Sequence, residues 1–331
     1  MLKLKSKSDD GRPQIVFYTS GISSQPDTKD LLSSATGRTI RAQILDQYTN
    51  ICSNYDFSLH DDPMLRDKIY LFGFSRGAMA ARAIAGLIME YGLLEPQYIR
   101  FAPKIVSDWE NNEPRPNYVE LVEVDVEFIG VFDSVMGGIR RMKMFNPIQF
   151  PHHRLSGRCK YGIHIQAIDE DRALFRNQPW ERHDEGNSAE GMKQIWMPGV
   201  HSDVGGTANE FWGRASFLAM SYYIEKLTDL QLDDSWLRRK ERAFRADLRS
   251  KGAYKLVQHL PPKILRARRE PSKTAEANEV MHPVVDIIRP KFTCNGREEF
   301  PWKERTLDPF FGDIDVDKNL SEYFDSFLKQ Q

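Results

Sequence analysis

Cysteine is scarce in this chain of 331 residues: there are three, Cys52, Cys159 and Cys294, far apart and with no Cys-x-x-Cys pair. That argues against a disulfide framework and against a thiolate zinc site, and predicts buried or free thiols in a reducing compartment. No run of 18 apolar residues occurs, so nothing in the sequence predicts a bilayer-spanning helix. The opening residues, Met1-Leu2-Lys3-Leu4-Lys5-Ser6-Lys7-Ser8, are polar and basic and lack the apolar stretch of a secretory signal. A cytoplasmic protein is the expectation, with export that needs no cleaved signal left open. There is no excess of one charge either. Lys plus Arg number 46 and Asp plus Glu 47, a net charge of -1, so no global field draws the protein to nucleic acid or to an anionic membrane.

The composition that remains, 40% hydrophobic and 28% charged, is that of a soluble globular protein. Residues 1–11 read as a disordered tail. Residues 14–18 form a β-rich run that stops at Thr19-Ser20-Gly21, a strand entering a turn. Ile40, Ile44, Leu45, Tyr48 and Ile51 recur at helical spacing over residues 40–55. Further strands are expected over residues 68–72, 122–132, 161–168 and 194–197, and helices over 76–91 and 212–230. Pro114 and Pro116 mark residues 107–117 as a surface loop. Strands alternating with helices predict an α/β fold, a mainly parallel sheet with helices on both faces.

The most informative stretch is Tyr70-Leu71-Phe72-Gly73-Phe74-Ser75-Arg76-Gly77-Ala78. An apolar strand runs into Gly-x-Ser-x-Gly, and an alanine-rich helix follows at once. In that context a sharp strand-to-helix turn lifts the serine hydroxyl clear of the sheet. The blander alternative is a tight structural turn with an inert serine.

A serine hydroxyl needs a base in reach, and the base needs a carboxylate to fix its tautomer. On this kind of fold the chain order is Ser, then Asp or Glu, then His. Asp133 ends the apolar run Phe128-Ile129-Gly130-Val131-Phe132 and is the candidate acid, with Asp125, Asp169 and Asp171 as alternatives. Asp169 reads as structural, pairing with Arg172 or Arg176. His201 lies in the glycine-rich loop Pro198-Gly199-Val200-His201-Ser202-Asp203-Val204-Gly205-Gly206 and is the candidate base, on a loop of the mobile kind. A turn histidine bonded locally to Asp203 is its alternative. His164 reads as a core histidine, and His152, His153 and His282 are weaker candidates. His201 and Asp203 have no third ligand cluster to make a metal site. For the oxyanion hole, one donor is expected at the Arg76 N–H and the second in the loop after the first strand, at Gly21 and Ile22.

Three motifs taken together, Gly73-Phe74-Ser75-Arg76-Gly77, Gly130-Val131-Phe132-Asp133-Ser134-Val135 and Pro198-Gly199-Val200-His201-Ser202-Asp203, resemble those of the α/β-hydrolase family that contains the catalytic domains of type VI secretion lipase effectors. The resemblance extends to Phe17-Tyr18-Thr19-Ser20-Gly21, Ala35-Thr36-Gly37 and Ala167-Ile168-Asp169-Glu170 and covers roughly residues 12–230. It implies an α/β-hydrolase-like fold with Ser75 as nucleophile, Asp133 as acid and His201 as base. The first run ends in Tyr-Thr-Ser-Gly, where many bacterial effectors have Phe-Asp-Gly-Thr, and so is similar to the less characterised, fungal-type branch.

Between Asp133 and the next strand, Arg140, Arg141 and Lys143 interleave with Met142, Met144, Phe145 and Phe150. Residues 140–150 read either as a lid over an apolar acyl site that touches a membrane surface, or as an insertion packed on the core. The basic stretch 236–255 reads as a solvated helix face rather than a nucleic-acid surface. Residues 261–273 read as a linker. The expected organisation is a tail (1–11), a catalytic core (12–230) and a helical or irregular extension docked on it (231–331). The expected function is a serine hydrolase of a carboxylic ester, by resemblance a lipid or phospholipid, with no cofactor and no metal. The alternatives are a soluble-substrate esterase or thioesterase, and a catalytically silent fold that binds a partner.

Overall fold

The computed structural model describes residues 2–21, 37–135, 158–180, 191–249, 269, 278–288 and 315–329. Apolar runs rich in β-branched and aromatic residues form the sheet: β1 (Ile69–Phe74), β2 (Val126–Phe132), β3 (Cys159–Ala167), β4 (Met192–Met197) and β5 (Glu279–Met281). The five strands stand in chain order, β1-β2-β3-β4-β5. β1 and β2 pair parallel, with Phe74 opposite Phe132, and β4 pairs parallel with β5. The bonds from Gly162 N–H to Gly191 C=O (2.7 Å) and from Ile168 N–H to Met197 C=O (2.9 Å) keep one offset along β3 and β4, as a parallel pair does. The helices are α1 (Gly37–Asn54), α2 (Arg76–Tyr91), α3 (Ala102–Glu110), α4 (His201–Val204), α5 (Glu210–Leu227), α6 (Asp234–Arg249), α7 (Val284–Ile288) and α8 (Lys318–Lys329). The fold is α/β and α/β-hydrolase-like. Parallel strands require long connections, and α2 with α3 supply the one between β1 and β2.

The chain divides into two compact units. One comprises Val16–Gly162 and Gln178–Met192, the other Met1–Ile15, Ile163–Asn177 and Lys193–Gln331. In the first, Ile44, Tyr48 and Cys52 fall four residues apart on α1 and are all fully buried. Nearly every residue of α2 is buried, which its alanines allow by letting the helix approach its neighbours closely. Burial pushes the Cys52 thiol up to about 11 and the Cys159 thiol to about 12, so neither is a reactive thiolate near neutral pH. Cys294 lies outside the described residues. In the second unit, Phe244 of α6 stacks on Phe211 of α5 at 5.1 Å and meets Phe324 of α8 edge-on at 5.5 Å.

Several expectations need correction. Residues 14–18 are not a strand: Ile15, Val16 and Tyr18 are 61%, 59% and 67% exposed. High β propensity only fits a residue to a sheet, and among the described residues no strand of the sheet pairs with this run. Residues 3–5 contact the segment that precedes and starts α6. Leu4 bridges Leu232, the Lys5 N–H donates to Gln231 C=O at 3.0 Å, and Lys3 and Lys5 pair with Asp233 and Asp234. Residues 107–110 continue α3, with Trp109 buried, and the loop begins only after them. The sequence reading missed β5, which lies beyond residue 230 and pairs with β4. Arg269, assigned to a linker, is buried and donates to the carbonyls of Ala167 (2.7 Å) and Phe175 (2.6 Å).

Candidate active site

β1 ends at Phe74 and α2 begins at Arg76, so one residue, Ser75, makes the whole turn. Its backbone sits at φ 60°, ψ −125°. A residue with a side chain occupies such a conformation at a cost of about 1–3 kcal/mol, and only where its surroundings hold it there. Here they do. The Ser75 N–H donates to Phe132 C=O at 3.0 Å, and the Ser75 C=O accepts from Ala78 (3.1 Å), Met79 (3.3 Å) and Val135 (3.4 Å). Gly73 explains the first glycine of the motif, since a Cβ there would lie 2.3 Å from the carbonyl oxygen of Gly77. Gly77 has no such wall beside it. The Arg76 N–H belongs to the first turn of α2, at the positive end of the helix dipole.

Asp133 follows β2 as Ser75 follows β1. Phe74 and Phe132 are register partners, so the two positions leave adjacent parallel strands at the same end. The edge at the carboxyl ends of parallel strands is where open α/β sheets place their sites. Asp133 is fully buried with φ 41°. The next residue is fixed from two sides. Ser134 Oγ donates to Met79 Sδ at 3.0 Å, and the Ser134 C=O accepts from the Gln178 N–H at 2.8 Å. Arg82, a buried cation on the second turn of α2, reaches Ser134 Oγ at 3.4 Å, donates to Gln178 C=O and lies 5.3 Å from the Trp180 ring. The alternative acid Asp125 precedes β2, is exposed and bonds Arg158 at 3.1 Å.

His201 opens the short helix α4 in the second unit. It is 4% exposed, on an anchored segment rather than a mobile loop. The Gly199 N–H donates to Asp169 Oδ2 at 2.8 Å, the Val200 N–H to Asp203 Oδ2 at 3.0 Å and the His201 N–H to Glu170 Oε2 at 3.2 Å. Gly199 has φ 110°, and a Cβ there would meet that of Asp203 at 2.9 Å. Arg172 grips Glu170 with two bonds, Nε at 2.8 Å and Nη2 at 2.7 Å. Its guanidinium lies 3.9 Å over the Phe175 ring, whose centroid is 4.9 Å from that of His201. Burial pushes the Glu170 carboxyl up, but the bonds and charge of Arg172 and the charge of Arg269 outweigh it and hold the group below its ordinary value. Asp169 thus accepts from the Gly199 N–H, and Glu170 takes Arg172.

Of the remaining candidates, His164 is fully buried in β3. His282 is fully buried too, accepts the Val284 N–H on Nδ1 at 3.0 Å and packs edge-on to Phe324 at 4.7 Å. Gly21 is exposed and follows no strand, so the premise that placed a second oxyanion donor at Gly21 and Ile22 is not met. Ile22, His152, His153 and the lid over residues 140–150 lie outside the described residues. Among the described residues, no group of three or more His, Cys, Asp and Glu side chains is placed to hold a metal. Also among them, no helix is long and apolar enough to cross a membrane.

Sequence reasoning missed Glu170, Arg172 and Arg82 as parts of this architecture. An arginine among the alanines of α2 and an Asp-Glu pair at a strand end were the signals.

Comparison with known proteins adds the following. An uncharacterized protein of Saccharomyces cerevisiae, YEL023C, is 33% identical over 147 residues, which is 38% of this chain and 20% of the yeast protein. A solved structure of the Tle1 effector bound to the VgrG spike of the Type 6 secretion system aligns with TM-score 0.36 and 23% identity. That alignment covers 61% of this chain and 38% of the other. An uncharacterized protein from Pseudomonas aeruginosa aligns with TM-score 0.35 and 20% identity, over 73% of this chain and 33% of that one. The chain thus spans a fifth of the curated relative and under two fifths of each solved chain. Residues 1–226 match the family described as T6SS, Phospholipase effector Tle1-like, catalytic domain, and the chain belongs to that family.

Proposed function

We propose that this protein is a serine ester hydrolase acting on a lipid or phospholipid ester through an acyl-serine intermediate. The observation that carries the reading is the backbone of Ser75, held at φ 60° between strand and helix. Such strain persists where the surroundings impose it, and a serine hydroxyl presented at the carboxyl edge of a parallel sheet is a use for it. Ser75 Oγ attacks the ester carbonyl while His201 takes its proton. The Arg76 N–H, at the start of α2, stabilises the developing oxyanion. His201 returns the proton to the leaving alcohol, then activates water to hydrolyse the acyl-serine. Asp133 holds the imidazole in the required tautomer and stabilises its charged form. Membership of a family described by its phospholipase effectors supports a lipid substrate.

The test is product analysis by mass spectrometry after incubation of the protein, and of Ser75→Ala, with mixed phospholipid vesicles. Free fatty acid and lysolipid from the wild type alone are expected, and the pair of products identifies the bond cut. Labelling of Ser75 by a serine-reactive phosphonate without lipid products would move the substrate to a soluble ester. Neither products nor labelling would end the hydrolase reading.

A further inference from the structure

Helix α6 carries a row of cations that the chemistry at Ser75 does not use. Its buried face is apolar: Leu237, Phe244 and Leu248 point inward, with Phe244 in the aromatic cluster of Phe211 and Phe324. Its outward residues recur at intervals of three and four: Ser235, Arg238, Arg239, Arg242, Ala246 and Arg249 are all exposed. Each acid of the helix and of its start has a partner outside the row, although Asp234 stays exposed. Asp233 pairs with Lys3 and Asp234 with Lys5, each at 3.0 Å; Glu241 accepts from Tyr323 and Asp247 from Arg214. Among the described residues no carboxylate pairs with Arg238, Arg239, Lys240, Arg242 or Arg249. A chain with a net charge of -1 thus concentrates unpaired positive charge on one helix face.

We propose that this face docks the protein on an anionic lipid surface. Clusters of four to eight Lys and Arg on an amphipathic helix bind acidic lipids in this way. From Arg238 to Arg249 the row runs about 16 Å along the exposed side of the helix, at 1.5 Å per residue, the extent that a lipid surface would meet. Single-stranded nucleic acid needs open aromatic faces on which bases can stack. The nearby Trp236 does not offer them, because the Arg239 guanidinium lies 4.0 Å and the Lys240 ammonium 4.9 Å from its ring centroid. The inference rests on the lipid-ester reading and deepens it, since an enzyme held at the interface meets its substrate there.

The experiment is vesicle sedimentation with the full chain carrying Ser75→Ala, so that the lipids stay intact. Vesicles are phosphatidylcholine with or without phosphatidylserine. Binding is expected only with phosphatidylserine and falls as salt rises. Substituting Arg238, Arg239, Arg242 and Arg249 by Gln together removes about fivefold in affinity per arginine, several hundredfold in all. The same four positions as Lys retain binding, which separates lost charge from lost fold. Equal sedimentation of the Gln variant and its parent, no binding to phosphatidylserine vesicles at low salt, or charge-dependent retention on single-stranded RNA in place of vesicles would each overturn the proposal. Turnover of a soluble short-chain ester, measured with Ser75 intact, is expected to be the same with Arg or Gln at the four positions. Its absence from the wild type would remove the hydrolase reading while leaving the docking result to stand or fall separately.

Discussion

Glu170 accepts the backbone N–H of His201 at 3.2 Å, and the same carboxylate is clamped by Arg172 through two bonds of 2.7 and 2.8 Å. The candidate base is therefore held through its main chain by a buried carboxylate that is paired with a partly exposed arginine. Removing Glu170 leaves Arg172 and the His201 N–H without their acceptor, whereas an isosteric neutral acceptor keeps part of the bonding. Glu170→Ala is expected to lower both stability and turnover. Glu170→Gln should keep the fold and lower kcat about tenfold with KM little changed, because the residue positions His201 and does not meet substrate. Steady-state kinetics on a soluble ester with both variants checks this. An unchanged kcat in folded Glu170→Ala would show that the clamp does not position the base.

Asp133 and Ser75 leave paired strands at the same end. If Asp133 orients the imidazole, Asp133→Asn preserves shape and presents the wrong tautomer. A loss of about 10⁴ in kcat is the expected size of that effect. It should come with retained phosphonate binding at high probe concentration and an unchanged unfolding midpoint. A loss under tenfold would move the acid to another carboxylate.

The strain at Ser75 gives a stability prediction opposite in sign to the activity loss. Glycine occupies φ 60° freely, while alanine keeps the Cβ. Ser75→Gly should therefore be more stable than Ser75→Ala by about 1 kcal/mol, with both inactive. Denaturant unfolding of the two variants side by side reads it; equal stabilities would mean that the turn is unstrained. Gly73→Ala should go the other way. Its Cβ would fall 2.3 Å from a backbone oxygen that cannot rotate away, a cost of at least about 2 kcal/mol.

The turn at Ser75 was legible in the sequence because everything that makes it is local. Apolar residues before, small residues after and glycine at position 73 define it, and α2 runs over residues 76–91 as the pattern predicts. What was not legible depends on distant partners. Residues 14–18 have the composition of a strand yet lie exposed, since composition says nothing about which strand will pair. β5 has three residues, too few to show a period, and acquires its conformation from β4. Arg82 and Glu170 look like ordinary charges in the chain, and only their contacts to Ser134 and His201 give them a role. The tail of residues 2–11 is polar enough to suggest disorder, but Asp233 and Asp234, more than 200 residues away, neutralise its lysines.

Acid should destabilise this protein well before its ordinary carboxylates titrate, and His282 is the reason. Burial drives its pKa from 6.5 down to about 3, against the opposing charge of Asp317. Nδ1 is occupied by the Val284 N–H, which fits the neutral ring. Below pH 6.5 the unfolded chain takes up a proton that the folded chain refuses, so stability falls with falling pH at about 1.4 kcal/mol per unit. The loss continues until the pH reaches the folded value near 3. Glu170 adds to it in the same direction. Its folded pKa lies below the ordinary 4.5, so its contribution is present above that value and is lost as pH falls through the folded one. The two are separable, because only His282 of the pair acts between pH 6.5 and 5. His282→Asn keeps an acceptor for the Val284 N–H and removes the titration. Glu110, Glu225 and Asp247, raised by burial, act with the opposite sign in both proteins, so urea unfolding at pH 7.5, 6 and 5 should show a stability loss towards acid that is larger in the wild type than in the variant, and parallel slopes would place the proton uptake elsewhere.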